Sequence, residues 1–210
     1  MGGPMSDSID YFFTVISPWT WLGHRQLMEI AARHGKRVNF RPVALAGVWE
    51  FSGAAPLAKR TPTRQRYRLV ELQRYAQLRG VELNLQPKHF PVNPQLADRA
   101  IVALVQGGQD PAEFAFAAGE TVWSREGDIS DADMLAGLLS DLGFDAAATL
   151  EAAQGEASAQ GLADNTQAAI AADAMGAPTY VYRGEPFWGQ DRLDMLERMI
   201  ASGREAYPAG

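Results

Sequence analysis

The chain of 210 residues contains no cysteine and only three histidines. Without a thiol it cannot form disulfides, ligate a metal through thiolates or use a cysteine nucleophile of its own. The histidines, His24, His34 and His89, show no spacing typical of metal ligands,. We therefore expect no metal site, and we assign these side chains structural or solvent-facing positions.

The chain also lacks long apolar runs, and it has fewer basic than acidic residues. No apolar run approaches the roughly 20 residues needed to cross a bilayer, and the N-terminus lacks a signal-peptide pattern. We therefore expect a cytoplasmic protein that does not contact a membrane. Lysine and arginine number 19 against 25 acidic residues, which gives a net charge of -6 at pH 7. Because phosphate binding usually requires a basic face, we expect no nucleic-acid partner.

One segment departs from this acidic balance, because six arginines lie between positions 60 and 79. One interpretation is a solvated helix face. The other is a positive collar that attracts an anionic substrate, and the sequence leaves both interpretations open. The six residues are Arg60, Arg64, Arg66, Arg68, Arg74 and Arg79.

Strand patterns occur at both ends of the chain, and helical patterns dominate from residue 63 to about 173. Glycines and prolines in residues 44–62 predict an irregular connection. A sheet formed by both termini and interrupted by helices is typical of an α/β, thioredoxin-like fold with an inserted all-helical domain. We assign residues 6–50 and 174–210 to the thioredoxin-like domain and 51–173 to the helical insertion. The predicted strands cover residues 9–16, 37–43, 179–183 and 186–188, and the helices beside them cover 18–34 and 190–201.

The first candidate functional residue is Ser17, which lies between the first strand and the first helix. A thioredoxin-like fold carries the first sulfur of its C-x-x-C pair at this position, whereas this chain has a hydroxyl. Ser-Pro is also an ordinary helix start, so the motif alone does not decide its role. The helix N-terminus would stabilise an anion such as a thiolate beside Ser17. Since the chain has no thiol, the sulfur must come from a small molecule, and glutathione is the first candidate.

The second candidate is the segment Gly176-Ala177-Pro178-Thr179, which precedes an apolar strand. Thioredoxin-like folds place a cis-proline at this point, opposite the first helix. Such a bond leaves the backbone of Ala177 free to pair with an extended peptide, and glutathione is one.

The third candidate is the turn Phe187-Trp188-Gly189-Gln190-Asp191-Arg192-Leu193, which leads into the last helix. A helix N-terminus can hold the γ-glutamyl carboxylate of glutathione while Asp191 pairs with its ammonium group. The alternative is that Asp191 merely occupies a first helical turn.

These three motifs together resemble the 2-hydroxychromene-2-carboxylate isomerase family, which is related to the kappa-class glutathione transferases. The sequence from Trp188 to Arg192 resembles the isomerases more than the transferases, which more often have Gly-Ser-Asp-Arg there. The resemblance covers nearly the whole chain. Further matches are Ser17-Pro18-Trp19-Thr20-Trp21-Leu22-Gly23, Arg41-Pro42-Val43, Phe90-Pro91-Val92-Asn93, Asp128-Ile129-Ser130-Asp131 and Asn165-Thr166.

The resemblance implies glutathione as cofactor, Ser17 as the catalytic residue that activates it, and a homodimer. It implies that Ala177, Pro178, Gln190 and Asp191 bind glutathione. The implied reaction is the cis–trans isomerisation of 2-hydroxychromene-2-carboxylate, a small aromatic acid, to trans-o-hydroxybenzylidenepyruvate. Trp19, Trp21, Trp49 and Trp188 would wall an aromatic pocket, although core packing is an equally ordinary role for tryptophan.

The chain departs from the family pattern at three positions of one loop: Glu50 replaces a lysine, Ala54 an asparagine and Arg64 a later lysine. The resemblance implies that this loop faces glutathione and substrate, so we assign Arg64 to cofactor binding as the substitute cation. Two alternatives to the isomerase stay open. One is a kappa-like glutathione transferase or glutathione-dependent lyase, and the other is a non-catalytic peptide-binding module.

Overall fold

The structure is a computed structural model of the chain, and it describes residues 7–208. Residue 6, where the first predicted segment begins, and residues 209–210 lie outside the described residues. In chain order, the strands and helices are β1 (Ser8–Phe13), α1 (Pro18–Arg33), β2 (Arg37–Pro42), α2 (Leu45–Ser52), α3 (Pro62–Arg79), α4 (Gln95–Gln106), α5 (Ala112–Trp123), α6 (Ala132–Asp141), α7 (Ala146–Gln154), α8 (Glu156–Ala171), β3 (Thr179–Tyr182), β4 (Glu185–Trp188) and α9 (Leu193–Ser202).

The sheet has four strands in the order β2-β1-β3-β4. Strand β1 pairs parallel with β2 and antiparallel with β3, and β3 pairs antiparallel with β4. Because side chains alternate between the faces of a strand, Ile9, Tyr11 and Phe13 enter the main core while Phe12 enters a second apolar cluster,. As the central strand, β1 buries apolar side chains on both faces, and its polar residues are Ser8 and Asp10,.

Helix α1 connects the two parallel strands, as a βαβ unit requires. Its start is specified locally, because Ser17 caps it and Pro18 occupies the first turn,. Helices α3 to α8 occupy the interval between β2 and β3. Apolar side chains from them, including Leu72, Ile101 and Phe114, belong to the same core cluster as the sheet.

These features confirm the α/β, thioredoxin-like fold class with helices inserted between β2 and β3. The domain boundaries stay a prediction, and α2 spans the proposed boundary at 50/51. Within residues 7–208, no helix combines the length and the apolarity needed to cross a membrane.

Residues 44–62 are more ordered than the sequence predicts. They contain α2 and a short 3-10 helix, Leu57–Lys59. Gly53, which we interpreted as a loop residue, has φ +71° and ends α2 in the left-handed conformation. Glycine is the usual residue at such a helix end, so the same residue type fits a loop and a C-cap equally well.

Strand β1 is shorter than predicted, because it ends at Phe13 rather than at residue 16. Thr14 and Val15 instead bond the carboxylate of Asp98 on α4. Their β-branched side chains favour a strand, and the long-range hydrogen bonds override that preference.

Candidate functional site

The loop between β1 and α1 holds Ser17 in a nearly buried position, with 5% of the residue exposed. The Ser17 hydroxyl accepts a hydrogen bond from the Thr20 N–H at 3.3 Å, which caps α1,. It also donates to the carbonyl oxygen of Ala177 at 3.3 Å. Two parts of the chain that are 160 residues apart therefore meet at this hydroxyl.

The segment before β3 faces the Ser17 loop, and its Ala177–Pro178 peptide bond is cis, as the sequence predicts. The carbonyl of Pro178 accepts a hydrogen bond from the Gly189 N–H at 2.9 Å. The N–H of Ala177, by contrast, donates to no residue in the described part of the chain. The N–H and the carbonyl of Ala177 thus form a short backbone edge with which an extended peptide can pair,.

Gln190 and Asp191 begin a 3-10 helix, Gln190–Arg192, that precedes α9. The Gln190 side chain is 2% exposed, and its Oε1 accepts a hydrogen bond from Arg79 Nη2 at 2.8 Å. Asp191 is exposed and forms an ion pair with Arg192. The predicted amide and carboxylate are therefore adjacent, and one arginine of the group of six binds the amide.

The predicted tryptophans take different positions. Indole nitrogens of Trp188 and Trp49 lie 3.1 and 3.7 Å from where a Cβ on Gly176 would stand, so both rings flank the cis-proline segment. Trp19 lies on the α3 side, where its ring packs edge-on against Tyr75 with 6.1 Å between centroids. Trp21 is 3% exposed and packs against Phe116, so this ring belongs to the core and does not join the tryptophans beside the cis-proline segment.

Arg64 is exposed in the first turn of α3, and its side chain makes no hydrogen bond or ion pair within residues 7–208. The structure does not place it against Ser17, Ala177 or Gln190. Its assignment to glutathione stays a prediction. Its charge acts on Arg60, whose pKa is lowered first by burial and then by repulsion from Arg64.

Asp98 is a site residue that the sequence reasoning missed. It is 2% exposed and accepts hydrogen bonds from the Thr14 hydroxyl at 2.6 Å and the Val15 N–H at 3.0 Å. Burial raises the pKa of this carboxyl to about 7, although both hydrogen bonds oppose the shift,. The available signal was that Asp98 lies three and four residues before Ile101 and Val102, on the apolar face of α4,.

Trp123 is the second missed residue. Its indole N–H donates to the carbonyl of Ile16, the residue before Ser17, at 3.1 Å. Asp98 and Trp123 therefore attach the β1–α1 loop to two helices of the inserted segment. Neither contact has a local sequence signature, since the partners lie 83 or more residues away in the chain.

A cavity of about 350 Å³ lies elsewhere, along the middle of α1 between α3, α5 and α9. Its walls include Trp21, Arg25, Glu29, Arg79 and Glu197. It contains neither Ser17 nor Ala177, so the candidate chemistry is not inside it. Among residues 7–208, no group of three or more histidine, aspartate or glutamate side chains is placed to hold a metal ion.

Gly23 allows α1 to approach the 3-10 helix that carries Gln190. A Cβ at position 23 would lie 2.6 Å from Gln190 Cβ and 2.9 Å from the Tyr180 hydroxyl oxygen. We expect Gly23→Ala to lower the free energy of unfolding by about 1–3 kcal/mol, because both neighbours must move. Urea unfolding measures this change.

Gly137→Ala is the matched control, because Gly137 is also helical and has nothing within 4 Å of its virtual Cβ. We expect this variant to gain about 0.5–1 kcal/mol from helix propensity. Equal stability of Gly23→Ala and the wild-type protein would show that the close approach is not needed.

Comparison with known proteins agrees with this geometry. A family model for the DSBA-like thioredoxin domain matches residues 8–201. The 2-hydroxychromene-2-carboxylate isomerase of Sphingobium xenophagum is 30% identical over 198 residues, which cover 93% of this chain and 99% of that protein. Glutathione S-transferase kappa 1 of Rattus norvegicus is 27% identical and covers 94% of this chain and 92% of its own length.

A solved structure of a 2-hydroxychromene-2-carboxylate isomerase superposes with a TM-score of 0.78 at 25% identity, covering 92% of this chain and 94% of that one. The sequence comparison and the structural comparison thus both find 2-hydroxychromene-2-carboxylate isomerases, and each match covers more than nine-tenths of this chain. The chain belongs to the DSBA-like thioredoxin family and, within it, to the family of the 2-hydroxychromene-2-carboxylate isomerases.

Proposed function

We propose that the protein is a glutathione-dependent cis–trans isomerase. Its substrate would be 2-hydroxychromene-2-carboxylate or a related intermediate of aromatic catabolism, and its product trans-o-hydroxybenzylidenepyruvate. The observation that carries the proposal is the Ser17 hydroxyl, which caps α1 and meets the Ala177 carbonyl in a chain without cysteine. The isomerase relatives support an enzyme.

Glutathione fits the residues present. The unbonded N–H and the carbonyl of Ala177 offer one donor and one acceptor to a peptide backbone,. Gln190 and Asp191 supply polar groups for the γ-glutamyl end. Ser17 supplies a hydroxyl at a helix N-terminus, where an anion is favoured,.

When bound, glutathione would supply a thiolate nucleophile, and the chemistry it offers is reversible addition to a conjugated double bond, which allows rotation about that bond and regenerates the thiol. The hydroxyl of Ser17 has one hydrogen to donate, so donation to a thiolate replaces donation to Ala177. That exchange frees the Ala177 carbonyl to accept from a peptide. The positive end of α1 adds to the hydrogen bond in lowering the pKa of a thiol there.

The tryptophans supply the remaining wall of the proposed site. Trp49 and Trp188 flank the cis-proline segment, and Trp19 lies toward α3. Flat apolar rings favour a planar aromatic substrate and exclude water from the reacting sulfur.

The decisive experiment follows the isomerisation of 2-hydroxychromene-2-carboxylate with and without glutathione. We expect the rate to require glutathione and the glutathione concentration to stay constant. A rate independent of glutathione would contradict the proposal.

Net consumption of glutathione would favour the second candidate, a kappa-like transferase or glutathione-dependent lyase. The observation in its favour is the 27% identity to a kappa transferase. Peptide binding without glutathione binding would instead favour a non-catalytic module. We keep the homodimer, the cytoplasmic location and the absence of nucleic-acid partners as predictions.

Ser17→Ala tests the role of the hydroxyl. We expect turnover to fall about 10- to 150-fold, the range for a lost hydrogen bond to a charged group, with a smaller change in glutathione affinity. Thiolate absorbance of bound glutathione should fall in parallel.

The variant also removes a helix cap, so the control is Asp145→Ala, which removes the cap of α7. Both substitutions should lower stability by about 1 kcal/mol. Only Ser17→Ala should lower turnover, and unchanged turnover in that variant would remove Ser17 from the mechanism.

A further inference from the structure

Three arginines at the start of α3 form a cluster without carboxylate partners. We call Arg60, Arg64 and Arg68 the arginine cluster. In the part of the chain that the structure describes, none of the three forms an ion pair. Five arginines elsewhere each form an ion pair with a glutamate: Arg25, Arg33, Arg74, Arg125 and Arg204.

Two members of the cluster are partly buried despite having the same charge. Burial, followed by repulsion from Arg60, lowers the pKa of Arg68 to about 10. Burial followed by repulsion from Arg64 lowers the pKa of Arg60. Like charges held together out of water are unfavourable unless an anion joins them. The cluster is thus arranged for a ligand of opposite charge.

The guanidinium groups of Arg60 and Arg68 lie near aromatic rings. The Arg68 guanidinium carbon lies 5.8 Å from the centre of the Phe90 ring and 5.6 Å from that of Trp123. The corresponding carbon of Arg60 lies 5.9 Å from the Trp49 ring. A guanidinium beside a ring keeps its N–H edge available for a carboxylate, which it can bind through two hydrogen bonds.

The same rings connect the cluster to the proposed reacting centre. Trp123, beside Arg68, donates its indole N–H to the Ile16 carbonyl, one residue before Ser17. The indole nitrogen of Trp49, beside Arg60, lies 3.7 Å from the virtual Cβ of Gly176, one residue before Ala177. One aromatic ring therefore lies between each arginine and the Ser17–Ala177 pair: Trp123 for Arg68 and Trp49 for Arg60.

We propose that Arg60 and Arg68 bind the carboxylate of a planar aromatic acid and thereby make the site selective for acids over neutral aromatic compounds. This assignment rests on the proposed function at Ser17. Glutathione also carries carboxylates, but the partly exposed rings beside the cluster, Trp49 and Phe90, match a flat conjugated acid better than a flexible peptide,. Arg68 is the principal residue, because it makes no other polar contact within residues 7–208, whereas Arg60 donates to the Ala55 carbonyl at 2.9 Å.

The kinetic test compares Arg68→Ala and Arg68→Lys with Arg66→Ala in the full chain. Arg66 is exposed on α3 and lies about 200° around the helix from Arg68, so it controls for net charge,. We expect Arg68→Ala to raise KM for 2-hydroxychromene-2-carboxylate about 10- to 100-fold. Arg68→Lys should recover part of this, and KM for glutathione should stay unchanged. A rise in glutathione KM alone would overturn the assignment.

A binding test separates this inference from the isomerase proposal, because it needs no turnover. Calorimetric titration with trans-cinnamate and with neutral cinnamamide is applied to the same variants. We expect Arg68→Ala to lose affinity for the acid and to keep its affinity for the amide. That result supports the carboxylate site even if no isomerase activity is found. Equal loss for both probes, or no loss for either, would overturn it, since a merely structural role affects both probes alike.

Discussion

Trp123→Ala is expected to lower the free energy of unfolding by about 3–5 kcal/mol, the usual range for removing a large buried aromatic side chain. Trp123 is fully buried and packs against Phe90 with 4.9 Å between ring centres. Truncation also leaves the Ile16 carbonyl without its indole donor. We therefore expect lower turnover as well, because the Ser17 loop loses one of its two attachments to the inserted helices.

Trp123→Phe separates packing from hydrogen bonding. It fills most of the space but has no N–H, so its stability loss should be well below that of Trp123→Ala. Urea unfolding and turnover are measured for both variants. Equal turnover in Trp123→Phe and wild type would show that the Ile16 hydrogen bond does not position Ser17. A loss below about 1 kcal/mol in Trp123→Ala would contradict the burial argument.

Asp98→Asn is expected to remove a large pH dependence of stability. Asp98 has an ordinary pKa of 3.8, which burial raises to about 7 in the folded protein. The folded state therefore holds this proton more tightly than the unfolded state between these two values. The contribution of Asp98 to the free energy of unfolding is therefore fully present below pH 4 and is lost as the pH rises toward 7. The total loss is at most about 4 kcal/mol.

The measurement is urea unfolding of wild type and Asp98→Asn from pH 4.5 to 8. Because asparagine cannot lose a proton, the variant should lack the decline that the wild type shows. Asp173→Asn is the control, since it removes a carboxylate from an exposed turn residue with φ +54° that asparagine also tolerates,. Parallel stability curves for wild type and Asp98→Asn would contradict the raised pKa.

The candidate site could be predicted in part because some of its residues have local signatures. Ser17-Pro18 is a helix start, and the Gly176–Thr179 motif precedes a strand, so both were recognised. The structure brings them together at 3.3 Å. Local patterns also misled at two points. Gly53 is the C-cap of α2 and not a residue of an irregular loop. Thr14 and Val15 lie outside the sheet because they form hydrogen bonds with Asp98.

The arginines show why the remaining part of the site could not be predicted. The six share one segment and one charge, and nothing local distinguishes them. Arg79 binds Gln190, which is 111 residues away, whereas Arg68 lies beside the packed rings of Phe90 and Trp123. These positions depend on how α3 packs against α1, α5 and the loops, and such long-range packing leaves no periodic trace in the sequence.

The sequence by itself determined the fold class, the absence of a protein thiol and the family resemblance, because these follow from strand and helix periodicity, composition and contiguous motifs. Only the tertiary structure decided which residues the arginines contact, where the tryptophans lie and what holds the Ser17 loop. Asp98 and Trp123 bond that loop across 83 and 107 residues of chain. Hydrogen bonds and burial across such distances exist only once the helices are packed on the sheet.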